Sequence, residues 1–211
     1  MKDFRTAEAF ASDCLDRGTH TSWFGQRTYK IELYGSVTEP TRGSIDLVAL
    51  PREYPAESCP IARSLEIVGE RWTLLIVRDA FYGARRFSDF HNHLGIPKAV
   101  LADRLAFLVA QDVLTKDANQ YQLTAMGKQL WPLIWSMISW GSDNLLDKPS
   151  RTYRHAECGG LIRHDRVCQR CEQVPEVGDL VAHPPRRPHD PRRDDPVSRA
   201  LLRPHRMLEP I

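Results

Sequence analysis

The chain has 211 residues, enough for one domain with appendages or for two small domains, and its formal net charge is +2. Between Cys59 and Asp147, nine Lys/Arg stand against nine Asp/Glu, so bulk charge does not single out a nucleic-acid-binding protein. There is no apolar run near the ~18 residues of a membrane span, no signal-peptide core at the N-terminus, and an odd number of cysteines, five, which favours thiols or metal ligands over disulfides. We therefore expect a cytoplasmic protein without a membrane segment.

Residues 1–58 give a weak pattern. Apolar and polar residues alternate poorly, although Thr28–Tyr34 and Ile45–Leu50 resemble short strands. An added arm, a partly ordered extension and a start codon placed too far upstream all remain open. We expect a poorly ordered N-terminal extension.

Two helices are predicted after this extension. Pro60 suits the first position of a helix that runs to Val68, because its missing N–H is no loss there. The run Trp72–Tyr82 is apolar on all sides, which is typical of a buried helix. We predict that it is the central core helix and that Gly83 ends it.

Cys59 lies immediately before Pro60, at the N-terminus of the first predicted helix. Free N–H groups and the helix dipole stabilise a thiolate in such a position, and the thiolate is the form that oxidants attack. Cys59 is therefore a candidate redox sensor. The alternative is a small residue that only packs.

A short helix and a longer one are predicted on either side of Gly95. Ser88 is the expected N-cap of the first, which spans Asp89–Leu94. Gly95 can adopt the left-handed conformation found at helix ends. Pro97 suits the first position of the second helix, which runs to about Gln111.

The second helix carries leucines at i, i+4 and i+7 on the face opposite to small and charged residues. Two strand-like runs, Leu114–Lys116 and Tyr121–Leu123, follow and are joined by a turn-type loop. Helix, turn, helix and hairpin is the order of a winged helix-turn-helix, whose second helix enters the major groove. Two core helices beside a hairpin would give the same periodicity.

A final pair of helices is predicted after the hairpin. Thr124 caps the run Ala125–Leu130, and Pro132 either begins a new helix or kinks this one. This last helix carries an apolar stripe made of Ile134, Ile138, Gly141 and Leu145. Such a stripe exceeds what a small domain covers, so it predicts a homodimer through this helix. The alternative is that the stripe packs only on its own core.

Several sequence blocks occur in order at a characteristic spacing: CPIARSLEIVGERWTLLIVRDAF (Cys59–Phe81), RRFSDF (Arg85–Phe90), GIPKAVLADRL (Gly95–Leu105), YQLTAMGKQL (Tyr121–Leu130) and Trp140-Gly141. With these blocks, Cys59–Leu145 resembles the HxlR family of bacterial winged-helix transcriptional regulators. The resemblance implies a protein that binds double-stranded DNA as a dimer. Some members use a cysteine in the place of Cys59 to sense electrophiles or oxidants.

On this interpretation the second helix and the hairpin contact DNA. The helix residues expected in or beside the major groove are Pro97, Lys98, Ala99, Asp103 and Arg104. On the hairpin wing, Lys116 and Asn119 are expected to contact the backbone or the minor groove.

A small unit with metal-ligand spacing follows. His155 and Cys158 form one pair, Cys168 and Cys171 a second, each with two intervening residues. Neutral His and thiolate Cys suit zinc, and four protein ligands make a structural site with no open position. The alternative is a degenerate ribbon that has lost its metal, because Glu172 stands where a glycine would ease the second turn.

The C-terminal stretch from His183 holds seven of the 15 prolines and seven arginines, a composition typical of disorder. The predicted fold is mainly α with a small β-hairpin wing, plus a small zinc-ribbon-like C-terminal unit. The predicted domains are an N-terminal extension (1–58), a winged helix-turn-helix domain for DNA binding and dimerisation (59–147), a zinc-ribbon-like unit (151–182) and a disordered tail (183–211).

The sequence favours a transcriptional regulator that binds operator DNA as a homodimer. The alternative is a metal-stabilised protein-interaction module without sequence-specific DNA binding. An enzyme is disfavoured, since the chain carries no Gly-rich phosphate loop, no G-x-S-x-G and no H-E-x-x-H motif, and no organic cofactor is predicted.

Overall fold

The computed structural model describes residues 58–147, 151–185 and 193–211. The chain divides into two units, Met1–Val48 and Ala49–Ile211, and everything described below belongs to the second. The predicted N-terminal extension, with its strand-like runs and Cys14, lies outside the described residues.

Residues 58–147 form six helices and one antiparallel hairpin, in the order of a winged helix-turn-helix. The elements are α1 (Pro60–Val68), α2 (Thr73–Phe81), α3 (Phe87–Leu94), α4 (Lys98–Ala110), β1 (Leu114–Asp117), β2 (Gln120–Leu123), α5 (Ala125–Lys128) and α6 (Trp131–Leu145). Strand β1 pairs with β2 so that Leu114 lies opposite Leu123. The predicted order of elements is confirmed.

The predicted helix boundaries need two small corrections. Helix α3 starts one residue before the expected cap: Arg86, not Ser88, is the N-cap, and its N–H donates to the Asp89 carboxylate at 2.8 Å. Asp89 is buried, so this bond satisfies a carboxylate that would otherwise be costly to bury. Pro97 is the N-cap of α4 rather than its first residue. Gly95 ends α3 with φ 65°, as predicted.

The core of this part is aliphatic and aromatic. Leucines at positions 101, 105 and 108 of α4 are fully buried, as their spacing predicts, together with Phe81 of α2 and Phe90 of α3. These side chains fix α4 against α2 and α3, so the opposite face of α4 stays at the surface.

Residues 151–185 and 193–211 form a three-stranded antiparallel sheet in the order β3-β4-β5. Its strands are β3 (Thr152–His155), β4 (Leu180–His183) and β5 (His205–Arg206), with a short 3₁₀ helix (Val177–Asp179) before β4 and helix α7 (Pro196–Ala200) before β5.

The tail from residue 183 was predicted to be disordered, and the structure corrects this for residues 193–211. Helix α7 is capped by Asp195, whose side chain accepts from the Ser198 N–H at 2.9 Å, and it packs against α3. Val197, Leu201 and Met207 are buried. Proline and arginine dominate the composition of this segment, so the composition does not indicate that these three apolar side chains are buried.

The zinc-ribbon-like unit was predicted to be separate, but it shares the core of the winged helix. Trp135 of α6 packs edge-to-face against Tyr153 of β3, with ring centroids 5.1 Å apart, and its Nε1–H donates to the His164 carbonyl at 2.8 Å. After β5, the Leu208 N–H donates to the Phe81 carbonyl at 2.8 Å. Large buried aromatic surfaces join the two parts.

Gly83 explains why the C-terminal segment can lie so close to the turn after α2. Its φ is 93°, and a Cβ there would collide with the Glu209 carbonyl. The Ile211 N–H donates to the Gly83 carbonyl at 3.2 Å. Glycine therefore permits both the left-handed turn and the close approach of the two backbones.

Across the described ranges, no helix combines the length and apolar content required to cross a bilayer.

Candidate nucleic-acid interface and metal centre

The exposed face of α4 consists of small residues and a few charges. Of the residues predicted to contact DNA, Pro97, Lys98, Ala99 and Asp103 are exposed. Ala102 and Ala106 extend the same face. Small side chains leave the helix backbone open to close approach by a groove wall, while Lys98 supplies a positive charge at the leading end.

Arg104 does not belong to this face, which corrects the sequence-based prediction. Only 7% of Arg104 is exposed, and its guanidinium lies over the Phe107 ring, 5.3 Å from the centroid. One helical step of 100° separates Arg104 from the exposed Asp103, and that step carries it into the packed side of α4.

The wing places Lys116 and Asn119 at the surface beside this helix. Both are exposed, and the Lys116 ammonium lies over the Tyr121 ring, 5.4 Å from its centroid. Ala118, at φ 49°, makes the turn between the two strands.

Arg86 is a surface cation that is not among the predicted DNA-contact residues. It forms an isolated antiparallel bridge with Gln120 of β2, and the Tyr121 N–H donates to the Arg85 carbonyl at 2.7 Å. The segment before α3 therefore runs beside the wing. Arg86, the last residue of that segment, is exposed next to β2. The signal available in the sequence was the Arg85-Arg86 pair immediately before the helix.

A buried polar cluster, also missed, joins α2 to α3. His93 Nδ1 lies 2.5 Å from the Asp79 carboxylate, and Arg78 contacts the same carboxylate at 2.7 Å. Asp79 is fully buried, and the His93 side chain is only 6% exposed, so both groups of this pair lie inside the protein. This network links α3 to the core.

The four predicted metal ligands converge at one point. The ligand atoms of His155, Cys158, Cys168 and Cys171 all lie within 4.8 Å of one another. The Cys158 and Cys168 sulfurs are 3.4 Å apart, and His155 Nδ1 is 3.3 Å from the Cys171 sulfur. A tetrahedral zinc site with Zn–S bonds of about 2.3 Å has edges of about 3.7 Å, so this set fits a metal ion.

The backbone around the cluster is arranged for thiolate ligands. The Gly160 N–H donates to the Cys158 sulfur at 3.4 Å, and the Arg170 N–H donates to the Cys168 sulfur at 3.5 Å. Such bonds favour the charged form of sulfur.

The two ligand turns are alike, although only one has a glycine in its left-handed position. Gly159, after Cys158, has φ 70°, and Glu172, after Cys171, has φ 58°. The missing glycine therefore does not prevent the second turn. A non-glycine residue in this conformation costs roughly 1–2 kcal/mol.

The chemistry of Cys168 agrees with this arrangement. Burial of the sulfur raises the pKa of Cys168, but N–H groups of Cys171 and Arg170 donate to it, and the pKa falls to about 6. A thiol of this kind is readily deprotonated near neutral pH, the form that binds metal.

Apolar side chains remain exposed on α6 and α1. On α6, Met137 is 51% and Trp140 62% exposed, and Leu145 is 68% exposed, whereas Ile134 is buried in the chain's own core. Ile134 is therefore not available for a dimer contact, which corrects that part of the prediction; Ile138 is half-buried. Helix α1 exposes Ile61 and Leu65.

Cys59 is exposed and forms the N-cap of α1. The backbone N–H groups of Ala62 and Ile61, at the start of α1, hold the pKa of Cys59 below its ordinary value. The geometry is that of a thiol at a helix N-terminus.

Comparison with known proteins shows that this chain is similar to transcriptional regulators. The profile of the HxlR-like helix-turn-helix family matches residues 67–149. The chain is 36% identical over 144 residues to Rv3095 of Mycobacterium tuberculosis (strain H37Rv), named an uncharacterized HTH-type transcriptional regulator, and the match covers 64% of this chain and 90% of that protein. YtfH of Escherichia coli K12, with the same description, is 31% identical over 98 residues, or 43% of this chain and 78% of YtfH.

Among solved structures, PA1374 of Pseudomonas aeruginosa is 41% identical over 42% of this chain and 64% of its own length, with a TM-score of 0.33.

Proposed function

The chain belongs to the HxlR-like helix-turn-helix family of transcriptional regulators, and on that premise we propose that it binds operator DNA as a homodimer through its winged helix-turn-helix. Its place of action is the cytoplasm, where the DNA of a bacterial cell lies. The observation that carries the proposal is the exposed face of α4, small and partly charged, with the wing beside it.

Helix α4 is the element that enters the major groove. Ala99, at its first turn, allows close approach to base edges, and Lys98 can donate to guanine O6/N7 or to a phosphate. Asp103, one turn on, can accept from a cytosine amino group. Pro97 sets the direction in which the chain enters the helix.

Contacts with the sugar-phosphate backbone of DNA position the protein on the duplex. Lys116 and Asn119 on the wing face the sugar-phosphate backbone or the minor groove. Arg86 adds a cation between α3 and the wing, where it can hold a phosphate. Arg104 is excluded from this set because it is buried.

Dimerisation would use the exposed apolar residues of α6. Met137 and Trp140, with Leu145 further along the helix, form the surface that needs a partner, and Ile138 lies beside it. A second copy related by a two-fold axis would place two α4 helices on successive major grooves, about 34 Å apart.

The four-ligand cluster is proposed to hold one structural Zn²⁺. His155, Cys158, Cys168 and Cys171 are the ligands, and the N–H bonds to sulfur support the thiolate form. A bound zinc ion would cross-link β3 to the loop that carries Cys168 and Cys171. With four protein ligands it has no role in catalysis.

Cys59 is proposed as a redox-sensitive thiol. Its exposure and its place at the start of α1 support this role. Alkylation of Cys59 should proceed at a lower pH than that of a free cysteine, and mild peroxide should change DNA binding in wild type but not in Cys59→Ser. Alkylation like that of a free thiol, with binding indifferent to peroxide, would leave Cys59 as a packing residue.

The experiment that tests the function is selection of genomic fragments by the purified full-length protein. Bound fragments should share an inverted repeat, since a two-fold protein prefers a two-fold site. Fragments with no shared sequence would favour the alternative of a metal-stabilised protein-interaction module.

A further inference from the structure

A cleft of about 630 Å³ separates the second half of α6 from residues 151–182, the proposed metal-binding unit. The two parts touch at Trp135 and Tyr153, which form the floor of the cleft, and separate above them. Ligand sites of proteins commonly have volumes of ~300–1,000 Å³ and lie between structural units. The cleft meets both conditions.

Helix α6 presents polar groups to this space where a simple packing contact would be apolar. Ser139 and Ser142 line the cleft and are half-buried. Ile138, on the same face, and Ile162 of the metal-binding unit add apolar surface to the wall. Two hydroxyl groups above an aromatic floor can orient a small molecule that has one flat apolar part and a hydrogen-bonding group.

The charges at the rim are already compensated. Asp143 Oδ2 lies 3.1 Å from His164 Nδ1, and Asp165 lies 2.8 Å from Arg163. Arg151 donates to the Leu201 carbonyl at 2.8 Å. Asp143 and Asp165 stand against Arg151 and Arg163 in the lining, so these four charges cancel and the rim offers no net charge to an ionic ligand.

We propose that this cleft binds a small uncharged aromatic molecule bearing a hydrogen-bonding oxygen, as the effector of the regulator. The ring rests on Trp135 and Tyr153, and the oxygen bonds to Ser139 or Ser142. The effector role rests on the proposed function. Met137 and Trp140 of the proposed dimer surface lie on the opposite side of α6, so a ligand held between α6 and the metal-binding unit changes the position of the helix that sets the spacing of the two α4 helices.

The test uses the full-length protein with 2-naphthol, an uncharged aromatic alcohol, and with 2-naphthoate, its anionic counterpart. Calorimetric titration should show saturable 1:1 binding of 2-naphthol and binding of 2-naphthoate weaker by roughly tenfold or more, because a lining without net charge does not offset the cost of removing a carboxylate from water. Ser139→Trp fills the cleft and should abolish binding of 2-naphthol. Ser142→Trp repeats the test from the next turn if the first variant does not fold.

Gln111→Trp is the matched control, since it adds the same side chain at the exposed end of α4 and should leave binding unchanged. Equal binding of both probes, no saturable binding, or binding unaffected by both cleft-filling variants would overturn the proposal. The last result would place the probe on the exposed apolar residues of α6. DNA binding by the unliganded protein is measured separately, so a failure of the cleft is distinct from a failure of the DNA-binding function.

Discussion

The hydroxyl groups of Tyr82 and Tyr153 lie 2.7 Å apart and share a hydrogen bond in the core. Tyr82 is the C-cap of α2 and Tyr153 belongs to β3, so this bond joins the helical part of the chain to the C-terminal sheet. Burial raises the pKa of Tyr153 well above its ordinary value, which keeps this phenol protonated.

Loss of either hydroxyl should destabilise the protein. Tyr82→Phe or Tyr153→Phe leaves one buried hydroxyl without its partner, at a cost of about 1–3 kcal/mol in the free energy of unfolding. The double variant should cost less than the sum of the two, because no orphaned hydroxyl remains. Denaturant unfolding of the four proteins measures this cycle, and strict additivity would show that the two hydroxyls do not interact.

The C-terminal segment should be required for stability. Met207 is buried under β4 and next to the turn after α2, so Met207→Ala should lower the free energy of unfolding by about 2–5 kcal/mol. Arg203→Ala, at an exposed position of the same segment, should have little effect. Equal stability of the two variants would mean that this segment is not part of the folded core.

Local features of the fold could be predicted from the sequence. The leucine spacing of α4 and the His-x2-Cys and Cys-x2-Cys pairs are set by neighbours within one turn, so periodicity and spacing suffice to locate them. Arg104 could not be placed in this way, because the elements that pack against α4 decide whether a charge at the border of its face is covered, and spacing along the chain does not show them.

Long-range contacts could not be predicted either, because they join residues that are far apart along the chain. The bond between Tyr82 and Tyr153 joins residues 71 positions apart, and no pattern along the chain encodes it. Met207 is a single apolar residue in a segment whose composition indicates disorder, and its burial depends on the pairing of β5 with β4. Composition reports an average, while one or two buried side chains decide whether a short segment docks.

The metal centre predicts one zinc per chain. Protein purified without chelator should contain about one equivalent by elemental analysis, and Cys168→Ser should lose most of it because a tetrahedral site lacks one thiolate. Cys59→Ser, which removes a cysteine outside the cluster, should keep it. Less than a tenth of an equivalent in wild type never exposed to chelator or acid would favour the degenerate ribbon.

A charged substitution on the proposed dimer surface should lower the molecular mass of the protein in solution. Trp140→Glu places a charge on the exposed apolar residues of α6 and should yield monomers, since an unpaired charge would be buried in the contact. Gln111→Glu, with the same charge at the end of α4, should remain dimeric. Sedimentation of the three proteins decides, and a monomeric wild type at micromolar concentration would exclude dimerisation.

The most direct test of the DNA-binding account is the affinity of Lys98→Ala for the selected operator and for a scrambled duplex at fixed salt. If Lys98 reads a base, operator binding should weaken by about 1–3 kcal/mol with little change on the scrambled duplex; if it meets a phosphate, both should weaken alike. Arg203→Ala, which removes the same charge far along the chain, should match wild type. Unchanged affinity of a folded Lys98→Ala protein for both duplexes would contradict the assignment of α4 as the recognition helix.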